Sequence, residues 1–272
     1  MRIERAAGFP GPGERGLFWL GQAGFWIETG AHRVLIDPYL SDSLARKYAG
    51  MKNDHKRMMP PPVLVDALPR PDLVLVTHGH TDHMDPDTLG PLSRRFPGLP
   101  FVVPASRAEL ARERIGADAA LILVDAGDEI VPLRGLSLRV LPAAHERLET
   151  DSQGRHLFLG YAIAADGVRL YHSGDCVPFE GLEELIARFA PDIALLPVNG
   201  RDARRLAEGI PGNFTLAEAV SLARDIPYLV THHFGMFAFN TIDPKEIDAA
   251  AREAGSRPRI LRPVAGETLR IV

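Results

Sequence analysis

Short apolar runs recur along the chain, at residues 16–20, 24–28, 34–36, 73–76, 101–103, 136–141, 168–172, 193–196 and 228–231. Each has strand-like length and is bounded by turn-forming residues, so each predicts a β-strand. Helical patterns fall mainly between the later runs. Asp85-Pro86 supplies an N-cap followed by a proline in the first turn, which predicts a helix from there toward Phe96. Residues 106–115 predict a second. Thr215-Leu216-Ala217-Glu218 has capping-box spacing and opens a helix toward Arg224, and Asp243-Pro244-Lys245-Glu246 opens another toward Glu253.

Hairpins come first and alternating units later, a mixture that predicts a layered α/β domain with sheets inside and helices outside. No linker or repeat is visible, and residues 1–272 read as a single domain. The stretch 41–62, with Lys52, His55, Lys56, Arg57 and three consecutive prolines, reads as a long ordered loop, and loops of that length in compact domains often serve function. Gly21-Gln22-Ala23-Gly24 joins two predicted strands with no helix after it, so it reads as a tight turn and not as a phosphate cradle.

Composition then narrows the chemistry. With 46% hydrophobic residues the chain can bury a substantial core. A formal charge of −4 gives no net pull toward nucleic acid or an anionic membrane. No apolar run reaches the roughly 18 residues that span a bilayer, and Met1-Arg2-Ile3-Glu4-Arg5 lacks the apolar core of a secretory signal. The expected setting is the cytoplasm, with a small-molecule substrate and no nucleic-acid or membrane partner; a homo-oligomer is compatible with the sequence. A single cysteine, Cys176, excludes an internal disulfide and a thiolate zinc cluster, so a metal must be held by nitrogen and oxygen.

Three of the ten histidines lie in His78-Gly79-His80-Thr81-Asp82-His83, after one apolar run and before the Asp85-Pro86 helix start. At the end of an extended strand, side chains at i and i+2 point the same way, which lets His78 and His80 converge on one ion with Gly79 leaving room between them. Asp82 and His83, on the turn into the helix, can serve a second ion. Imidazole and carboxylate donors suit zinc, iron or manganese. Further candidates follow other predicted strands: His145, Asp175, and His232 or His233. Ligands gathered at strand ends form a rim, where sheet proteins commonly place active sites. The alternative is a polar turn whose histidines cap the helix and face solvent, but three crowded imidazoles would repel one another when protonated.

With those residues in place the chain resembles the metallo-β-lactamase superfamily, and within it the branch of L-ascorbate-6-phosphate lactonase and related metal-dependent hydrolases. The resemblance is carried by Phe18-Trp19-Leu20-Gly21-Gln22-Ala23-Gly24-Phe25-Trp26-Ile27, by Val76-Thr77 with the histidine segment, by Tyr171-His172-Ser173-Gly174-Asp175 and by His233-Phe234-Gly235-Met236-Phe237. It implies a four-layered αβ/βα sandwich of two mixed sheets flanked by helices, with the metals at one edge. One ion would take His78, His80 and His145, the other Asp82, His83 and His233, and Asp175 would bridge. His233 is chosen over His232 because the Phe-Gly-x-Phe after it matches the branch pattern. The lactonase members carry an aspartate near the place of His145.

The expected activity is hydrolysis of a small anionic substrate, a sugar-acid lactone phosphate or related ester, by metal-activated water, with one or two divalent ions, zinc or alternatively manganese. Asp82 and Asp175 would hold and orient that water. His172 reads either as a hydrogen-bonding partner of ligand or substrate or as an ordinary strand residue. Cys176 reads as a buried neighbour of the site. Arg201 and Arg204, with Arg205 in the same glycine- and proline-punctuated stretch, and Arg57 with Lys56 in the early loop, are candidates to bind a phosphate or carboxylate. Rival readings are a phosphodiesterase acting on cyclic nucleotides, phospholipid or RNA, a di-iron redox protein, and a metal-stabilised binding protein without turnover. The missing basic stripe argues against a processive nuclease. A flavin partner domain and an acidic residue in place of His80, both usual in the di-iron proteins, are absent.

Overall fold

The computed structural model describes residues 1–255 and 257–272. In chain order the first strands are β1 (Ile3–Ala7), β2 (Gly16–Gly21), β3 (Gly24–Glu28), β4 (Arg33–Ile36), β5 (Leu73–Leu75), β6 (Pro100–Pro104) and β7 (Ala120–Val124), with helices α1 (Ser43–Lys47), α2 (Pro86–Arg95) and α3 (Ala108–Ile115) among them. There follow β8 (Glu129–Leu133), β9 (Leu136–Pro142), β10 (Ala144–His145), β11 (Arg147–Leu148), β12 (Leu159–Ala165), β13 (Val168–His172), β14 (Ile193–Pro197), β15 (Tyr228–His232), β16 (Arg259–Leu261) and β17 (Glu267–Ile271). The later helices are α4 (Leu182–Phe189), α5 (Ala203–Ala207), α6 (Leu216–Leu222) and α7 (Pro244–Glu253).

The chain forms two compact units, residues 1–124 with 263–272, and residues 125–262. The first holds a mixed sheet in the order β1-β17-β2-β3-β4-β5-β6-β7. Its pairings are antiparallel as far as β4 and parallel from β4 to β7. The second holds a mixed sheet in the order β16-β15-β14-β13-β12-β9-β8, antiparallel from β8 to β13 and parallel from β13 to β16, and a small β10–β11 hairpin. Each unit therefore runs from hairpins into parallel strands joined through helices. This repeat is one of topology, and no residue pattern announces it.

The local chemistry behind the helices is that expected. Asp85 and Asp243 each accept a backbone N–H of the first turn, with Pro86 and Pro244 behind them, and Thr215 and Glu218 close a reciprocal capping box. In the first unit Phe18, Leu20, Trp26, Leu35, Val74, Phe101 and Val103 form one face of the sheet and join Leu89 and Leu92 of α2 and Ala111 and Ile115 of α3 in one buried cluster. Phe9 lays its ring against Phe18 and Trp26 at 4.8 and 5.1 Å, aromatic contacts worth about 0.5–1.5 kcal/mol each beyond their buried area.

Two local expectations need correction. The stretch 41–62 contains the short helix α1, whose last turn carries Arg46 and Lys47 favourably near its negative end. The strand before the histidine segment stops at Leu75; His78 stands at a β-bridge beyond it and His80 on the bend that follows, so the two do not share one continuing pleat.

Candidate metal centre

In the first unit the histidine segment leaves β5 and turns into α2. His83 and Met84 donate their backbone N–H groups to His80 O at 3.1 and 2.8 Å, and Arg114 of α3 braces the same turn by donating to Gly79 O and Met84 O at 2.8 and 3.1 Å. A Cβ on Gly79 would come within 3.0 Å of Leu110 and 3.3 Å of Arg107. The glycine therefore makes room for α3, where the sequence suggested room between two imidazoles. The bend still brings the rings together: His78 lies 4.6 Å from His80 and 4.0 Å from His83 between centroids.

One buried carboxylate sets how two of these imidazoles present themselves. Asp37, directly after β4, accepts from Thr77 N at 2.8 Å and Thr77 Oγ1 at 2.6 Å, and its Oδ2 lies 2.7 Å from His83 Nδ1. A carboxylate only accepts, so His83 carries its proton on Nδ1 and turns Nε2 the other way. Thr77 has given its single hydroxyl proton to Asp37, so His78 Nδ1, 3.0 Å from Thr77 Oγ1, must be the donor there. Both rings are thereby left with Nε2 as the free lone-pair nitrogen, the atom each could offer to a metal. Asp82 Oδ2 lies 3.8 Å from His83 Nε2 and accepts from Gln22 Nε2 at 2.7 Å. Gln22 is itself held in the β2–β3 turn, at φ 51°, by the Trp19 indole N–H on its carbonyl at 3.0 Å.

In the second unit three sequence-distant residues meet at one oxygen. Asp175 Oδ2 lies 3.7 Å from His145 Nε2 and 3.2 Å from His233 Nε2, and all three residues are buried. Asp175 sits on the turn after β13, where Gly174 has φ 62° and donates its N–H to His172 Nδ1 at 3.0 Å. His172 thus fixes this turn; its ring stacks on His232 at 4.6 Å. His233 follows β15 at φ 60°, a left-handed position for a non-glycine residue. His145 ends β10, in a hairpin that reverses at Glu146, φ 74°.

The donor set suits a divalent cation. Imidazole nitrogens, two of them on rings whose Nδ1 proton is held by Thr77 and Asp37, and carboxylate oxygens are borderline-to-hard ligands. His78, His80, His145 and Asp175 form one group that could hold an ion, while Asp82, His83 and His233 form another.

The arginines chosen from sequence stand in different situations. Arg201 makes a two-pronged bond to Glu218 at 2.6 and 2.7 Å and donates to Asn213 O. Its guanidinium holds the Glu218 carboxyl down to about 2. Arg57 donates to the carbonyls of Tyr39, Ser41 and Met59. Arg204, on α5, is exposed. Cys176 is fully buried, and burial pushes its thiol up to about 12, far from a nucleophile's range. Close by, Gly212 donates to Glu146 Oε1 at 2.8 Å and Phe214 to Cys176 O at 2.9 Å. A Cβ on Gly212 would lie 2.3 Å from Arg201 Cβ and 2.4 Å from Gly200 O, so only glycine fits.

Asp37, Thr77 and Gln22 were not singled out from sequence as functional. Asp37 carried the same signal as the other candidates, a charged residue immediately after a buried apolar run, Val34-Leu35-Ile36.

Comparisons with known proteins agree with this chemistry. The family model described as a β-lactamase superfamily domain matches residues 32–234. A metal-dependent hydrolase of Aeropyrum pernix is 27% identical over 91% of this chain and 94% of its own, and one of Opitutus terrae 30% identical over 94% and 99%. An N-acyl-phosphatidylethanolamine-hydrolyzing phospholipase D of Caenorhabditis elegans is 27% identical over 70% of this chain and 56% of its own. Among solved structures, an isothiocyanate hydrolase from Delia radicum gut bacteria superposes with a TM-score of 0.73 at 20% identity, over 93% and 98% of the two chains. A metallo hydrolase of Ignicoccus hospitalis gives 0.70 at 22%, over 94% and 98%. With two mixed sheets flanked by helices and this donor set, the chain belongs to the metallo-β-lactamase superfamily and is a metal-dependent hydrolase.

Proposed function

We propose that this hydrolase opens a small anionic lactone or related ester, with residues 1–272 acting as one catalytic domain. The observation that carries the reading is Asp175, whose single oxygen faces two imidazole nitrogens in the second unit. In the proposed centre His78, His80 and His145 would hold one ion and Asp82, His83 and His233 the other, with Asp175 available to either. Zinc suits this set first and manganese second. A divalent ion held there would supply an acidified water and Lewis-acid polarisation of the scissile carbonyl.

The side chains divide the remaining work. Asp82 and Asp175 orient the attacking water, Asp37 keeps His78 and His83 as Nε2 donors, and His172 fixes the turn that carries Asp175. The substrate's anionic group is assigned to Arg204, while Arg57 and Arg201 are engaged by protein acceptors and brace the loops of their own units. The lactone preference is supported by the four sequence segments that resemble the lactonase branch.

A second reading, a phosphodiester substrate, is favoured by the name of the nematode relative. One experiment separates the two: measure the metal content of the purified protein, then assay its zinc- and manganese-loaded forms on lactones, phosphodiesters and thioesters. Turnover of lactones above phosphodiesters supports the first reading, and the reverse order replaces it with the second.

A further inference from the structure

The loops after β14 and β15 contain a chain of carboxamides whose orientation can be derived link by link. Arg205, nearly buried, donates Nη1 to Asn240 Oδ1 at 2.9 Å. A guanidinium has no acceptor, so the Asn240 atom it meets is the oxygen. Asn199 meets that same oxygen at 2.8 Å and must present its amino group, Nδ2, there. The oxygen of Asn199 then faces the other way and accepts Asn213 Nδ2 at 3.0 Å. Asn213 is left with Oδ1, a buried acceptor with no hydrogen-bond partner among the described residues, on a residue with 0% exposure. A buried acceptor left unmade costs about 1–3 kcal/mol, and its orientation here is imposed from Arg205, three links away.

The position of Asn213 gives that acceptor a use. The residue before it is tied to Glu146, next to His145, and the residue after it to Cys176, next to Asp175. Within the second unit Asn213 is thus fastened between the neighbours of two proposed ligands, while Asn199 leaves β14, the strand between those that lead to Asp175 and His233.

We propose that Asn213 Oδ1 receives an O–H donor at the reaction site, from a hydroxyl of the substrate beside the scissile bond or from water held there, and that Arg205 is the positioning residue that aims it. The substrate arm of the proposal rests on the lactone reading above. It makes Asn213 a determinant of preference for hydroxylated substrates, since a site built around a fixed acceptor discriminates against analogues that lack the donor.

The test uses the full chain in two ways. A crystal structure should show an ordered oxygen within hydrogen-bond distance of Asn213 Oδ1; a protein donor there instead, or an amide turned over, overturns the proposal. In parallel, wild type and Asn213→Ala are compared on 6-phosphoglucono-δ-lactone and its 2-deoxy analogue, a pair that keeps an anionic group and differs only in the hydroxyl beside the scissile carbonyl. A loss in kcat/KM of about tenfold confined to the hydroxylated lactone assigns the donor to the substrate. An equal loss on both, with a shifted pH profile, assigns it to water. No loss on either refutes the proposal. Arg205→Leu should give a smaller loss of the same kind, and Arg205→Lys, which keeps a donor, should restore it. Should the wild type turn over neither lactone, the lactone reading fails, and the crystallographic result alone decides the fate of Asn213.

Discussion

The two units supply candidate ligands in opposite ways. In the first, four candidate ligands lie within six consecutive positions, and a single buried carboxylate outside the run, Asp37, disciplines two of them through Thr77 and His83. In the second, three candidate ligands are drawn from 145, 175 and 233 and meet only because β10, β13 and β15 end where they do. The contiguous set is braced by side-chain hydrogen bonds. The scattered set is delivered by backbone in unusual conformations: Glu146, Gly174 and His233 all have positive φ. A compact motif can thus rely on local chemistry, whereas a dispersed one relies on the accuracy of loops.

This contrast sets the order of the expected effects. The largest is at Asp175, which faces both candidate imidazole ligands of its unit, His145 and His233. Asp175→Ala is expected to abolish turnover and to strip metal from both positions. His80→Ala and Asp82→Asn should each cost more than about 100-fold in activity, beyond the usual effect of a supporting residue, while retaining part of the metal. Elemental analysis of the purified variants checks this, and equal metal loss in all three would erase the distinction between the units.

Next comes Asp37→Ala. Loss of the orienting carboxylate should weaken metal binding about 10–100-fold and destabilise the metal-free protein by about 1–3 kcal/mol for each buried donor left unpaired. Chelator competition and urea unfolding measure the two parts separately. Gln22→Met, which keeps the shape and removes the donor to Asp82, should weaken metal binding by about tenfold. An undiminished affinity would show that Asp82 needs no such support.

The smallest effect lies in the second unit's loop scaffold. Glu218→Gln preserves the capping box but loses the charge pairing with Arg201, a cost of about 1 kcal/mol at pH 7. The folded-state carboxyl sits at about 2 against an ordinary 4.5. Its contribution is therefore complete above about pH 4.5 and fades as the pH falls toward 2. Thermal melts of wild type and variant should converge over that range; a gap that persists at pH 2 would mean the charge plays no part.

Legibility in the sequence follows the same division. Strands such as β2, β3, β14 and β15 are buried at every position, so they appear as continuous apolar runs that need no alternation to be found. Edge strands are only partly covered, and β7 and β8 escaped notice for that reason. β12 was hidden by its glycine and alanines, yet a Cβ on Gly160 would press to 3.2 Å against His172 O and Ser173 O, so the weak residue is required. α4 was missed because its N-cap is Gly181, without a side-chain cap. For the site, residue identity pointed to candidate ligands, and it was silent about which nitrogen each imidazole offers. That depends on Thr77 and Asp37 lying within hydrogen-bonding distance, and pairing across β4 and β5 establishes it.

The absence of a side chain at position 212 has a use in sorting relatives. Since even a methyl group there would collide with the backbone of residue 200, a homologue with any other amino acid at the equivalent place must route its rim differently. That one letter marks which members of the superfamily can share this protein's carboxamide arrangement, and so which of their substrates are worth offering to it first.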